Sequence, residues 1–347
     1  MERDAWKVRL SEWESQSAPT EADDGLDALW KALGIVPARD DSRHESFVMM
    51  RGNQGYVEPG GKRVYYFTDT PPRFRRRALG HALVHALQYQ RAPLYNFGDR
   101  SGGFLDDVAW ARDASAESEA VLYELAWPGD SLEGLAEKVE RLAAELPKES
   151  TKPYAVRGAY FSYIAGARYL LAKARGSLRA AVDALYASPP MSTEQILHPD
   201  RDDAPIAVVA PDLSARLGDG WRLVVQTVLG EWTVTDWVRA LDPRPLAPAD
   251  AIGGGLPETL RWGGDLAQVY RRGDEWRCLI WIEWDDEASA ARFEGMLQGS
   301  AACVLAGRRL AAGIGGVSVE TLEESLRQVR TFRFRSPEEF RERLKAR

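Results

Sequence analysis

Gly80-His81-Ala82-Leu83-Val84-His85-Ala86-Leu87-Gln88 organises the reading of this chain. It lies inside a helical pattern expected to run over residues 73–90, starting just after Pro71-Pro72. Residues four apart on a helix sit one above the other on the same face. His81 and His85 therefore present two imidazoles to one point, an arrangement suited to gripping one metal ion. Ala82, the residue after the first histidine, carries no titratable group.

Composition narrows the function classes. The chain has 347 residues, 45% hydrophobic and 28% charged, the balance of a globular protein with room for two cores. A net charge of -7 argues against nucleic-acid binding through a global basic surface. Two cysteines, Cys278 and Cys303, are too few for a disulfide framework and are expected as buried free thiols. No apolar run approaches the ~20 residues of a membrane span, and the N-terminus lacks the apolar core of a signal peptide. A cytoplasmic location is the default expectation. The 12 tryptophans are expected in core and sheet packing.

The fold class expected is α+β. Residues 1–45 form a helical extension, with one helix at Leu26–Leu33 stopped by Gly34. Residues 46–200 form a mainly helical domain with a small strand segment: strands at 47–50, 55–57 and 63–68, with a Pro59-Gly60-Gly61 turn. Helices follow at 73–90, 114–127, 154–174 and 178–187, with another opened by an Asp130/Glu133 capping box. Ser192 with Gln195 marks a fresh helix start after Pro189-Pro190. The polar stretch 199–205 is the expected domain boundary. Residues 205–335 form a second α+β unit with a hairpin at 266–284 around Gly273-Asp274 and helices at 288–297 and 319–329. Residues 336–347 form a charged C-terminal helix or tail.

A two-histidine zinc site needs a third protein ligand. The chain has only four histidines, His44, His81, His85 and His198, so a carboxylate is expected. Ala116-Glu117-Ser118-Glu119-Ala120 offers two, Glu117 and Glu119, and helical spacing does not separate them.

These motifs resemble the gluzincin-type zinc metallopeptidases, which carry an H-E-L-x-H-A-L-Q-D-Q helix followed by an E-G-x-A helix. His81, Leu83, His85, Ala86-Leu87-Gln88 and Gln90 match the first motif, while Glu117 and Ala120 match the second. Gly55-Tyr56-Val57-Glu58-Pro59 is similar to a G-F-Y-D-P turn of the same proteins. Ser192-Thr193-Glu194-Gln195-Ile196-Leu197-His198-Pro199 is similar to their S-T-E-Q-I-L-H-P run. The resemblance covers residues 25–200. It implies a zincin-like domain, zinc held by His81, His85 and Glu117 with Glu119 as the rival, and His198 as a transition-state donor.

The departures are at the chemistry. Ala82 stands where the family's Glu activates zinc-bound water, Tyr89 replaces Asp, and Ser118 replaces Gly. Three departures in two motifs imply a pseudoenzyme with a retained or vestigial zinc site and a peptide or protein partner. Two alternatives remain: an active peptidase in which Ala82 is an engineered replacement for Glu, and a metal-free scaffold. Glu194 is a weak candidate for a substitute base. The Arg73, Arg75, Arg76 and Arg77 group is read as a solvated helix face, with anion binding as the alternative.

Overall fold

The computed structural model describes residues 2–16, 18–41, 55–57, 63–91, 106–126, 130–146, 153–201, 203–242, 254–336, 339 and 342–343. The strand expected at 47–50, the Pro59-Gly60-Gly61 turn, His44 and most of the tail lie outside them. The chain is a mixture of helices and antiparallel strands, as an α+β class requires.

The N-terminal segment forms two helices, α1 (Arg3–Gln16) and α2 (Glu21–Ala32). Thr20 caps α2 through a reciprocal bond with Asp23, and Gly34 turns the chain at φ 72°. Trp6 of α1 packs on Tyr56 and Phe67 beside the hairpin β1 (Gly55–Val57) and β2 (Val64–Tyr66). Leu29, Trp30 and Leu33 belong instead to the largest apolar cluster, which also holds residues of the C-terminal sheet. The two helices are thus tied to different parts of the chain.

The next helices are α3 (Pro72–Arg91), α4 (Asp106–Leu125), α5 (Leu132–Glu145), α6 (Tyr154–Tyr160), α7 (Gly166–Lys173), α8 (Leu178–Ala187) and α9 (Thr193–Leu197). α4 begins eight residues earlier than its sequence pattern suggests. Ser131, rather than Asp130, caps α5 by accepting from Gly134 N, while Asp130 pairs with Lys138 at 2.6 Å. Between α6 and α7 the chain widens into a π-helical turn, Phe161–Ala165. α7 lies very close to α4, because a Cβ on Gly166 would stand 2.2 Å from Ala114 O. No larger residue allows that approach.

The C-terminal sheet has the order β4-β5-β6-β8-β7, formed by β4 (Arg222–Thr227), β5 (Trp262–Arg272), β6 (Glu275–Trp284), β7 (Ala302–Ala306) and β8 (Arg309–Ile314). The Gly273-Asp274 turn joins β5 to β6 as expected, with Gly273 at φ 58°. Alternation along β6 sends Cys278, Ile280, Ile282 and Trp284 into one apolar cluster. Leu279 and Trp281 go into the cluster on the other face. The sheet is therefore covered on both sides. One face receives α2, α11 (Gly230–Leu241) and α12 (Glu287–Leu297); the other receives α10 (Ser214–Leu217) and α13 (Val319–Gln328). Five tryptophans of this half, Trp232, Trp237, Trp262, Trp281 and Trp284, are fully buried. A separate pair, β3 (Ile206–Val209) with β9 (Arg330–Arg333), joins segments more than a hundred residues apart. Cys278 is buried, Cys303 is half-buried, and both are free.

Apolar packing continues across the stretch expected as a domain boundary. The largest cluster takes Ala111, Phe161 and Ile196 from one side and Trp232, Trp262 and Phe293 from the other. No helix among the described residues is long and apolar enough to cross a membrane.

Candidate metal centre

α3 supplies the first face of the site. Phe74, Arg77, Ala78, His81, Ala82, His85 and Tyr89 recur at helical spacing and line a cleft of about 570 Å³. β1 forms another wall through Gly55, Tyr56 and Val57, and α4 and the π-helical turn close it with Glu117, Glu124 and Tyr163. α3 and α4 run antiparallel: position 88 of α3 meets positions 116 and 119 of α4, while position 81 meets position 124.

Three ligand atoms converge. His81 Nε2 lies 3.0 Å from His85 Nε2. Glu117 Oε2 lies 3.1 Å from His81 Nε2 and 3.4 Å from His85 Nε2. A tetrahedral ion bound at 2.0–2.1 Å separates its ligand atoms by about 3.3 Å, so this triangle has the size a single small ion requires. His81, His85 and Glu117 form a group that could hold a metal ion.

The surrounding bonds set the imidazole orientations. Gln88 is fully buried, and its Nε2 donates to Ala116 O at 2.9 Å and to Glu119 Oε2 at 3.0 Å. Both amide protons are then used, so Gln88 Oε1 faces His85 Nδ1, 2.9 Å away, as an acceptor. In the neutral ring, Nδ1 of His85 then carries the proton, which leaves the Nε2 lone pair for the triangle. Glu124 Oε2 stands 3.3 Å from His81 Nδ1 and favours the same tautomer there. Metal-binding histidines characteristically donate their second ring nitrogen as His85 does to Gln88.

The electrostatics call for positive charge at the centre of the triangle. Burial opposes protonation of His81, but Glu117 and Glu124 outweigh it and lift its pKa to about 10. His85 is raised as well, against its burial, chiefly by Glu117. Burial alone would raise Glu117, yet the two histidines hold its carboxyl far below the usual range. Glu117 Oε2 is buried, with His81 Nε2 and His85 Nε2 beside it at 3.1 and 3.4 Å. A buried carboxylate between two imidazoles whose raised pKa values register a demand for positive charge suits a cation in place of the ring protons.

The remaining candidates sort by position. Glu119 is not at the triangle: it accepts from Gln88 and from Tyr186 of α8. His198 is not brought to the cleft. Its Nε2 lies 2.9 Å from buried Glu231, whose Oε1 also accepts from Leu256 N. Glu194 is likewise buried elsewhere, 3.7 Å from Arg201, and burial beside Glu231 pushes its carboxyl up to about 9. Ser118 donates to Ser115 O within its own helix. Tyr89 lines the cleft. Arg75 spends its guanidinium on Thr70 O and Thr68 O.

Sequence reasoning missed two groups at the cleft. Glu124 lies seven residues beyond Glu117, two helical turns on the same face, a spacing that could have revealed it. Tyr163 had no such signal. It reaches the site from the π-helical turn, a feature common at functional positions, with its ring 5.7 Å from that of His81. The charge of Glu117, with burial, Asp113 and Glu124, keeps its phenol protonated well above the ordinary value. Asp113 accepts from Ser162 Oγ at 2.7 Å, which anchors the same turn to α4.

No family model, curated protein or solved structure matches the chain, so its functional reading rests on this geometry.

Proposed function

We propose that the chain is a zinc-binding, metallopeptidase-like protein that holds a peptide or protein partner without cleaving it. The observation that carries this reading is the triangle of His81 Nε2, His85 Nε2 and Glu117 Oε2, with edges of 3.0–3.4 Å. Two imidazoles and a carboxylate are the donor set of an open zinc site. His81, His85 and Glu117 would hold the ion, and Gln88 and Glu124 would orient the two rings. Zinc bound there supplies Lewis acidity toward a carbonyl oxygen.

What argues against turnover is the supply of proton acceptors. Ala82 is buried and lines the cleft with a methyl group. Of the two carboxylates that line the cleft among the described residues, Glu117 is committed to the ligand triangle and Glu124 to His81. Tyr89 and Tyr163, both with raised pKa, are donors rather than bases. A missing general base costs about 10²–10⁴-fold in rate, about 3–5 kcal/mol of barrier.

Two measurements test the reading. Metal analysis of the purified protein is expected to give one zinc per molecule; none, with no affinity on titration, leaves a metal-free scaffold. A peptide library is expected to pass uncut. Cleavage by Ala82→Glu alone would identify Ala82 as the sole lesion in an otherwise competent peptidase. Cleavage by the unaltered protein would end the proposal.

A further inference from the structure

Among the described residues, Arg77 is the one cleft residue of fixed positive charge, and it sits on the histidine-bearing side of α3. Arg77, His81 and His85 occupy successive turns, so Arg77 lies about 6 Å along the helix axis from His81. Its side chain is exposed and lines the cleft. Among the described residues it makes no hydrogen bond, ion pair or ring contact, although Glu117 and Glu124 line the same cleft. Those two carboxylates face the histidines instead. Arg75, two residues earlier, shows the contrasting case of an arginine used to tie down a turn through Thr70 O and Thr68 O. Phe74, one turn before Arg77, is 39% exposed and lines the cleft with Tyr56, giving the cationic end an aromatic border.

We infer that Arg77 selects ligands that carry a carboxylate, held by its guanidinium while a carbonyl of the same ligand faces the His81–His85–Glu117 triangle. Extended peptide advances about 3.3–3.6 Å per residue, so a carboxylate one or two residues beyond that carbonyl spans one helical turn. The guanidinium fork matches a carboxylate in two parallel bonds. The carboxylate can be the free C-terminus of a peptide or an Asp or Glu side chain; the chemistry at Arg77 is the same. This inference rests on the cleft being the ligand site, and its test separates it from the zinc reading.

The experiment uses the full-length protein and three fluorescent probes: dansyl-Gly-Ala-Ala with a free carboxylate, the same peptide as its C-terminal amide, and dansyl-Gly-Ala-Asp amide. Binding is followed by anisotropy for the unaltered protein, Arg77→Gln and Arg77→Lys, each with excess zinc and after removal of metal by chelation. At least one carboxylate probe is expected to bind ten-fold or more tighter than the neutral amide. Arg77→Gln should bring the probes within two-fold of one another, and Arg77→Lys should keep part of the preference. Which of the two acids wins identifies the source of the carboxylate. Equal binding of acid and amide, a preference that survives Arg77→Gln, or no binding by any probe at millimolar concentration overturns the inference. An Arg77-dependent preference in a protein that takes up no zinc leaves this inference standing and removes the zinc reading. One zinc per molecule without a preference does the reverse.

Discussion

Replacing Glu117 or Glu119 by Gln separates two carboxylates that sequence spacing treats alike. At zinc one hundred times its dissociation constant, binding stabilises the folded protein by about 2.7 kcal/mol. A chain of 347 residues unfolding as one unit has an unfolding entropy of about 0.7 kcal/mol/K, so the midpoint should rise by about 4 °C on zinc addition. Glu117→Gln keeps the side-chain shape but removes the charge whose oxygen lies 3.1 and 3.4 Å from the two imidazole nitrogens. The shift should vanish at that zinc concentration and stay absent at a hundred-fold more. Glu119→Gln reaches the triangle through Gln88 rather than by direct contact, so it should weaken affinity about 10–100-fold, and the extra zinc should restore the full shift. Differential scanning calorimetry across a zinc series reads both. A full shift in Glu117→Gln, or an unrecoverable loss in Glu119→Gln, would refute the assignment of the third ligand.

Gln88→Leu removes the acceptor that fixes the His85 tautomer. Competition with a chromophoric chelator should show about 10–100-fold weaker zinc binding with the fold retained; unchanged affinity would show that Gln88 does not position His85. Asp107 is fully buried at the start of α4, where burial outweighs its bonds from Thr193 and lifts its pKa from 3.8 to about 7. A raised carboxyl pKa means the folded state binds this proton more tightly than the unfolded one. Its contribution is complete below about pH 3.8 and is lost as pH climbs toward about 7, by about 1.4 kcal/mol per unit. Asp107→Asn keeps the acceptor oxygen for Thr193 and removes the titration. Urea unfolding at constant excess zinc should then show a shallower fall in stability between pH 5 and 7; an unchanged slope would contradict the shift.

The helix that carries the histidines was legible because its signals are local. Proline pairs mark its start, and apolar residues recur at helical spacing through Gln88. The choice of Glu117 over Glu119 was not local. It depends on how packing turns α4, which sends Glu119 toward Gln88 and Tyr186. Tyr163 was hidden because a single π-helical turn shifts the residues after it off the regular period. His198 had a plausible motif but found a nearer partner in Glu231, a residue of α11. α11 itself gave little periodic signal, since every residue from Gly230 to Val238 is buried. The β3–β9 pair joins strands at opposite ends of the C-terminal half, and nothing in either four-residue strand names its partner. At the cap of α5, Asp130 and Ser131 are both good N-cap residues. Lys138 engages the aspartate and leaves the serine to cap.

The proposed function requires one zinc ion between His81, His85 and Glu117, beside a residue that cannot act as a base. Anomalous diffraction at the zinc edge from crystals of the purified protein tests it most directly. The prediction is one peak per molecule, about 2.0–2.2 Å from His81 Nε2, His85 Nε2 and a Glu117 carboxylate oxygen, with Ala82 Cβ facing it. A zinc peak elsewhere, or none at these three residues with zinc in excess, would contradict it.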